Sequence, residues 1–103
     1  MLKLEWIRER VEKSEYYFSR HGDQERLSDN LLMEEIEEAL FTGKIIERYK
    51  DERRGESCLV AGFTGGGKPI HIVCGMRGDW LVVVTVYIPK PPKFKTLYER
   101  GGK

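Results

Sequence analysis

Apolar positions recur at helical spacing in the first part of the chain and at strand spacing after Gly43. Leu4, Ile7 and Val11 fall at i, i+3 and i+7, which draws one apolar stripe on a helix of about residues 2 to 14, with Trp6 widening it. Tyr16-Tyr17-Phe18 is a strand-type run short enough to be an extended connector, and the polar stretch from His21 to Leu27 reads as a brief helical turn. Ser28-Asp29-Asn30 offers N-cap oxygens for a second long helix, about Leu31 to Phe41, with Leu32, Ile36, Ala39 and Leu40 facing inward. Gly43 is placed to end it in the left-handed conformation. The carboxylates Glu34, Glu35, Glu37 and Glu38 read as a solvated helix face.

From there the period is two. Ile45–Tyr49, Cys58–Phe63, Ile70–Met76 and Trp80–Ile88 read as strands joined by hairpin-length connections, so neighbours should be antiparallel. The expected fold class is α+β: two N-terminal helices followed by an antiparallel sheet of about four strands. Residues 1–92 form a single domain in this reading, closed off by Pro89, Pro91 and Pro92, and residues 93–103 are a basic, flexible tail. A three-residue loop at Arg77–Asp79 sets Met76 opposite Trp80 and His71 opposite Thr85. A five-residue loop at Thr64–Lys68 sets Phe63 opposite Pro69 and Cys58 opposite Cys74. Alternation then places Cys58, Val60, Ile70, Ile72, Cys74, Val82, Val84 and Val86 on one face. His71, Thr85, Tyr87, Val73, Val83 and Leu81 fall on the other, a mixed face suited to a shallow site or a partner surface.

Composition narrows the functions open to such a fold. The 18 basic and 17 acidic residues leave a formal charge of +1, below the basic excess of proteins that coat nucleic acid. The longest apolar stretch, Trp80 to Ile88, is too short for a membrane helix, and Met1-Leu2-Lys3-Leu4-Glu5 lacks the uncharged core of a secretory signal, so the expected location is cytoplasmic. Cys58 and Cys74 are too few for a disulfide framework and should be reduced thiols. A metal clamp joining them to His71 or His21 lacks any Cys-x-x-Cys pair, so no metal or cofactor is expected. Gly62-Phe63-Thr64-Gly65-Gly66-Gly67-Lys68 matches the start of a P-loop. However, Pro69 stands where Ser or Thr is needed and a strand follows instead of a helix, so it reads as a hairpin loop.

The chemistry-bearing residues are His21 and His71, the two histidines of the chain. RNA cleavage by 2′-hydroxyl attack needs a base, an acid and cations against the phosphate, with no metal. His71 with Tyr87 can share the proton work and Thr85 can orient them. Arg53 or Arg54 is the candidate phosphate clamp, and Arg48 and Arg26 are further cations for the substrate.

Several segments resemble one bacterial family, DUF4258: Tyr17-Phe18-Ser19-Arg20-His21, Glu37-Glu38-Ala39-Leu40-Phe41-Thr42-Gly43 and Ile45-Ile46-Glu47-Arg48-Tyr49. Lys68-Pro69-Ile70-His71-Ile72-Val73 and Val84-Thr85-Val86-Tyr87-Ile88-Pro89 belong to the same resemblance, which covers about residues 16 to 90. That family is similar to the RelE-like and barnase-like superfold, which implies a metal-independent, toxin-type RNase with His21, His71, Thr85 and Tyr87 as its polar signature. Gly22-Asp23-Gln24-Glu25 departs from the basic helix that the resemblance implies after His21. The leading expectation is an RNase-like domain whose His71 is general base or acid, with His21 joining from the helical side. The alternative is a non-catalytic protein-binding module using Leu81, Val83 and Phe63 on the apolar second face. Expected partners are RNA, an antitoxin or another protein, for a chain that is a monomer or a homodimer.

Overall fold

The structure, a computed structural model, describes residues 2–51, 55–89, 94–96 and 99–100. Helix α1 (Leu4–Glu12) leads into strand β1 (Tyr16–Phe18), then helices α2 (Arg20–Ser28) and α3 (Met33–Thr42). Strands β2 (Lys44–Asp51), β3 (Gly55–Phe63), β4 (Pro69–Arg77) and β5 (Trp80–Tyr87) follow, and β6 (Phe94–Thr96) pairs with β7 (Glu99–Arg100) inside the stretch read as a tail. The main sheet runs β1-β5-β4-β3-β2, with β1 parallel to β5 and the other pairs antiparallel. The fold is therefore α+β, but with three helices and a five-stranded mixed sheet among the described residues, where two helices and four antiparallel strands were expected.

The helix boundaries explain the extra helix. Ser14 and Asn30 take the left-handed backbone (φ 58 and 55) just past α1 and α2. Around each, paired backbone bonds close the last turn: Ser14 N–H to Val11 and Glu15 N–H to Arg10, then Asn30 N–H to Leu27 and Leu31 N–H to Arg26. Ser28-Asp29-Asn30 thus ends α2 instead of capping α3. At the start of α3 the Glu35 carboxylate accepts the Leu32 N–H at 2.9 Å. Gly43 is also corrected: its backbone is extended (φ −87, ψ −177). Glycine is needed there for room, since a Cβ would stand 2.6 Å from the Ala61 oxygen and 2.7 Å from that of Ala39.

Core residues lie where the helices meet one sheet face: Ile7, Val11, Ile36, Ala39 and Leu40 pack with Cys58, Val60, Ile70, Ile72, Cys74, Leu81, Val83 and Val86. Phe63 faces Pro69 and Cys58 faces Cys74, as the loop length predicts. The β4–β5 hairpin differs twice. Its turn holds only Gly78 and Asp79, so Arg77 pairs with Trp80 and Met76 with Leu81. Further along, Val84 is an extra residue between the Cys74–Val83 and Val73–Thr85 pairs. The shorter turn exchanges the faces of β5, so Leu81 and Val83 join the helix-side core while Val82 turns to the second face, where it stays buried like Leu59 and Ala61. The bulge then restores the parity, and Val86 still points inward. Among the described residues no helix is long and apolar enough to cross a membrane.

Candidate functional site

Strand β4 presents His71, Val73, Gly75 and Arg77 to the second face, the one turned away from the helices, because Ile70, Ile72 and Cys74 go to the core. One turn slip and one bulge together set His71 opposite Tyr87, not Thr85. His71 Nδ1 lies 3.3 Å from the Tyr87 hydroxyl, and the rings meet edge to face with centroids 5.4 Å apart. His71 is 0% exposed, so of this pair only the half-buried Tyr87 reaches the surface. Thr85 shares the face but pairs with Val73.

His21 does not join them. It stands on α2 with its side chain 65% exposed and its Nε2 3.3 Å from Glu25 Oε2. The other Glu25 oxygen accepts the Val86 N–H at 3.0 Å, and Ser19 Oγ donates to the Val84 carbonyl at 2.9 Å while accepting from Gly22 N–H at 3.0 Å. These bonds fasten α2 to the β5 edge beyond the end of β1. Gly22 permits it, since a Cβ there would lie 2.5 Å from the Val83 oxygen.

The expected substrate arginines separate as well. Arg26 binds Asp23 Oδ1 at 2.8 and 3.2 Å, reaches the Leu31 carbonyl and lies over the Phe18 ring. Arg48 stands opposite Cys58, on the helix-side parity, and donates to the Leu2 carbonyl. Both hold the fold together. Arg53 and Arg54 lie outside the described residues.

What the sequence reading missed is a groove of about 250 Å³ on the same second face as Tyr87. Gly75 forms its floor, and Tyr49, Lys50, Ser57, Val73, Arg77 and Val84 stand around it. Gly55 and Glu56, next in sequence after the two undescribed arginines, also line it. Beyond the groove Arg77 pairs with Trp80, whose ring centroid is 6.4 Å from that of Tyr17. The signal was readable: His71, Val73, Gly75 and Arg77 fall at i, i+2, i+4 and i+6 of one strand.

The thiols face each other in the core. Cys58 and Cys74 are both free and buried, and the hydrogen bond that the Cys74 thiol donates to Cys58, together with burial, pushes the Cys74 thiol well above its ordinary range. Among the described residues no group of three or more His, Cys, Asp or Glu is arranged to hold a metal ion. The Gly62–Lys68 stretch is strand and hairpin loop: Thr64 N–H bonds the Lys68 carbonyl, Gly65 N–H bonds Glu38 Oε1 at 2.7 Å, and Lys68 Nζ sits 3.5 Å from Glu35.

The sequence model of a domain of unknown function, DUF4258, matches residues 18–88, which contain α2, α3 and β2 to β5. The chain belongs to the DUF4258 family. Comparison of this DUF4258 chain with curated proteins found no match, and neither did comparison with solved structures. In the DUF4258 domain the matched span holds both His71 and Tyr87, and it begins at Phe18, two residues before α2.

Proposed function

We propose that this DUF4258 domain is a metal-independent, RNase-like protein of the RelE and barnase kind that acts on RNA across the second face of its sheet. The observation that carries the reading is the Tyr87–His71 pair beside a groove containing Arg77 and Lys50. Tyr87 is the substrate-facing acid or base, and buried His71 is its positioning partner, exchanging a proton through the Tyr87 oxygen. Arg77 and Lys50 line the groove and would hold phosphates of the chain flanking the cleaved bond, and Arg53 and Arg54 follow Lys50 in sequence. An RNase toxin would also have an antitoxin as partner, and the cytoplasm as its place of work.

The test is incubation of the purified chain with RNA in the presence of a chelator. The expected result is cleavage to 2′,3′-cyclic phosphate ends, with Tyr87→Phe slower by about 100-fold or more. Absence of cleavage by the wild type, or an unchanged rate in Tyr87→Phe, overturns the reading.

A second reading is favoured by one observation, the complete burial of His71. In it the same face binds a protein without catalysis. Its apolar contacts would be Phe63, Tyr17 and Trp80, since Leu81 and Val83 belong to the core. Wild-type protein that cuts no RNA, yet loses a purified partner on Trp80→Ala, is the result that selects this account.

A further inference from the structure

We propose that Tyr17 and Trp80, with Arg77 beside them, form a stacking site for an unpaired base of single-stranded RNA at the far end of the same face. The inference rests on the RNA reading and gives it a substrate class. Tyr17 and Trp80 are 45% and 46% exposed, although Tyr16 and Phe18 beside the first are half-buried and Leu81 beside the second is fully buried. Tyr17 lies opposite Val82 on the second-face parity, because Tyr16 and Phe18 pack against the core. Trp80 lies opposite Arg77, so both rings emerge at one corner of the sheet, while the Arg77 guanidinium turns back over Gly75 and donates to the Met76 carbonyl at 3.0 Å, between that corner and the groove. The rings are tilted by 55° at 6.4 Å between centroids, so neither covers the other's face.

Two exposed aromatic faces next to a cation are what a nucleobase and its phosphate require, since every base has a face to stack and stacking is tolerant of sequence. The position fits the groove. Trp80 and Tyr87 are seven residues apart on one strand, which at about 3.3 Å per residue puts the corner roughly 20 Å from the reactive hydroxyl. A strand of RNA held at Tyr17 and Trp80 would run along the Gly75 groove before reaching Tyr87.

The experiment uses a 2′-O-methyl oligouridylate, which has no free 2′-hydroxyl and so reports binding without cleavage. In a Trp6→Phe background, where Trp80 is the remaining tryptophan, titration should quench its fluorescence to saturation. Anisotropy of the labelled oligonucleotide, read on the chain with Trp6 intact, should show about tenfold weaker binding for Trp80→Leu and for Tyr17→Leu. Trp80→Phe and Tyr17→Phe should stay close to wild type, because the rings remain. No quenching and no binding, or leucine variants that bind as tightly as wild type, overturn the proposal. Tyr87→Phe separates the two claims, since it should bind the oligouridylate normally while failing to cut RNA. Binding with no cleavage by any form leaves the stacking site standing and removes the RNase reading. Cleavage unaffected by either leucine variant removes the stacking site alone.

Discussion

A single added methyl group is enough to test how closely the helices approach the sheet. At Gly62 a Cβ would fall 2.0 Å from the Ala39 oxygen and 2.8 Å from its carbonyl carbon, so α3 and β3 would have to separate. Gly62→Ala should cost about 3 kcal/mol, read as a lower midpoint in urea unfolding, and an unchanged midpoint would show that the helix can shift freely. Tyr16 gives a pH-dependent counterpart. Burial, then its hydrogen bond to Glu37 and that carboxylate's charge, hold the phenol above its ordinary value of 10.0. Since the folded value is the raised one, the associated stability is present below pH 10 and is lost as pH rises through the alkaline range, where the unfolded chain ionises first. Tyr16→Phe should therefore lose less stability than wild type between pH 9 and pH 11, on about that interval; equal losses would remove Tyr16 from the alkaline limb. Neither contact was legible in the sequence. Gly62 looked like the start of a phosphate loop, and nothing in Tyr16 named Glu37.

At the scale of elements, the strong periodicities were readable and the corrections came from single residues. α1, α3 and the four hairpin strands follow from apolar spacing, because burial of one stripe or one face dominates their stability. α2 has no apolar stripe to read: Gly22 is its buried residue, and it is held by bonds from Ser19 and Glu25 to the β5 backbone. Ser19→Ala removes both the N-cap and the link to Val84, so it should cost about 1–2 kcal/mol. A loss below about 0.3 kcal/mol in chemical unfolding would mean that α2 is held by other contacts. The Val84 bulge was equally hidden, since an extra residue within Val82-Val83-Val84 leaves no mark on an all-valine run. It decides the site, because without the turn slip and the bulge Thr85 would face His71. The expected Cys58–Cys74 pairing needed only one loop length and was readable. Those two thiols, sealed in the core, should resist a thiol reagent in native buffer and react fully once the chain is unfolded. Rapid reaction in native buffer would show that the helix layer opens readily.

For the whole molecule, the sheet divides the work between its faces, and that division can be measured. Ile36 is fully buried between α3 and the sheet, with no part in the second face, so Ile36→Ala should cost about 3 kcal/mol and lower Tm while leaving RNA affinity of the folded fraction unchanged. Trp80 and Tyr17 are half exposed, so replacing either by leucine should change stability by less than about 1 kcal/mol while weakening RNA binding. The two classes of variant should fall on separate axes when unfolding and oligonucleotide affinity are plotted against each other. The physical reason is that the core face gains its energy from apolar area removed from water, which Tyr17 and Trp80 have only partly surrendered. If Trp80→Leu lowered Tm as far as Ile36→Ala, the aromatic corner would be part of the packed structure, and its exposure would have no binding role to explain. If affinity fell with Tm unchanged, the aromatic corner would be a surface kept open at a cost in burial, which a folded domain tolerates where a ligand supplies the missing contact.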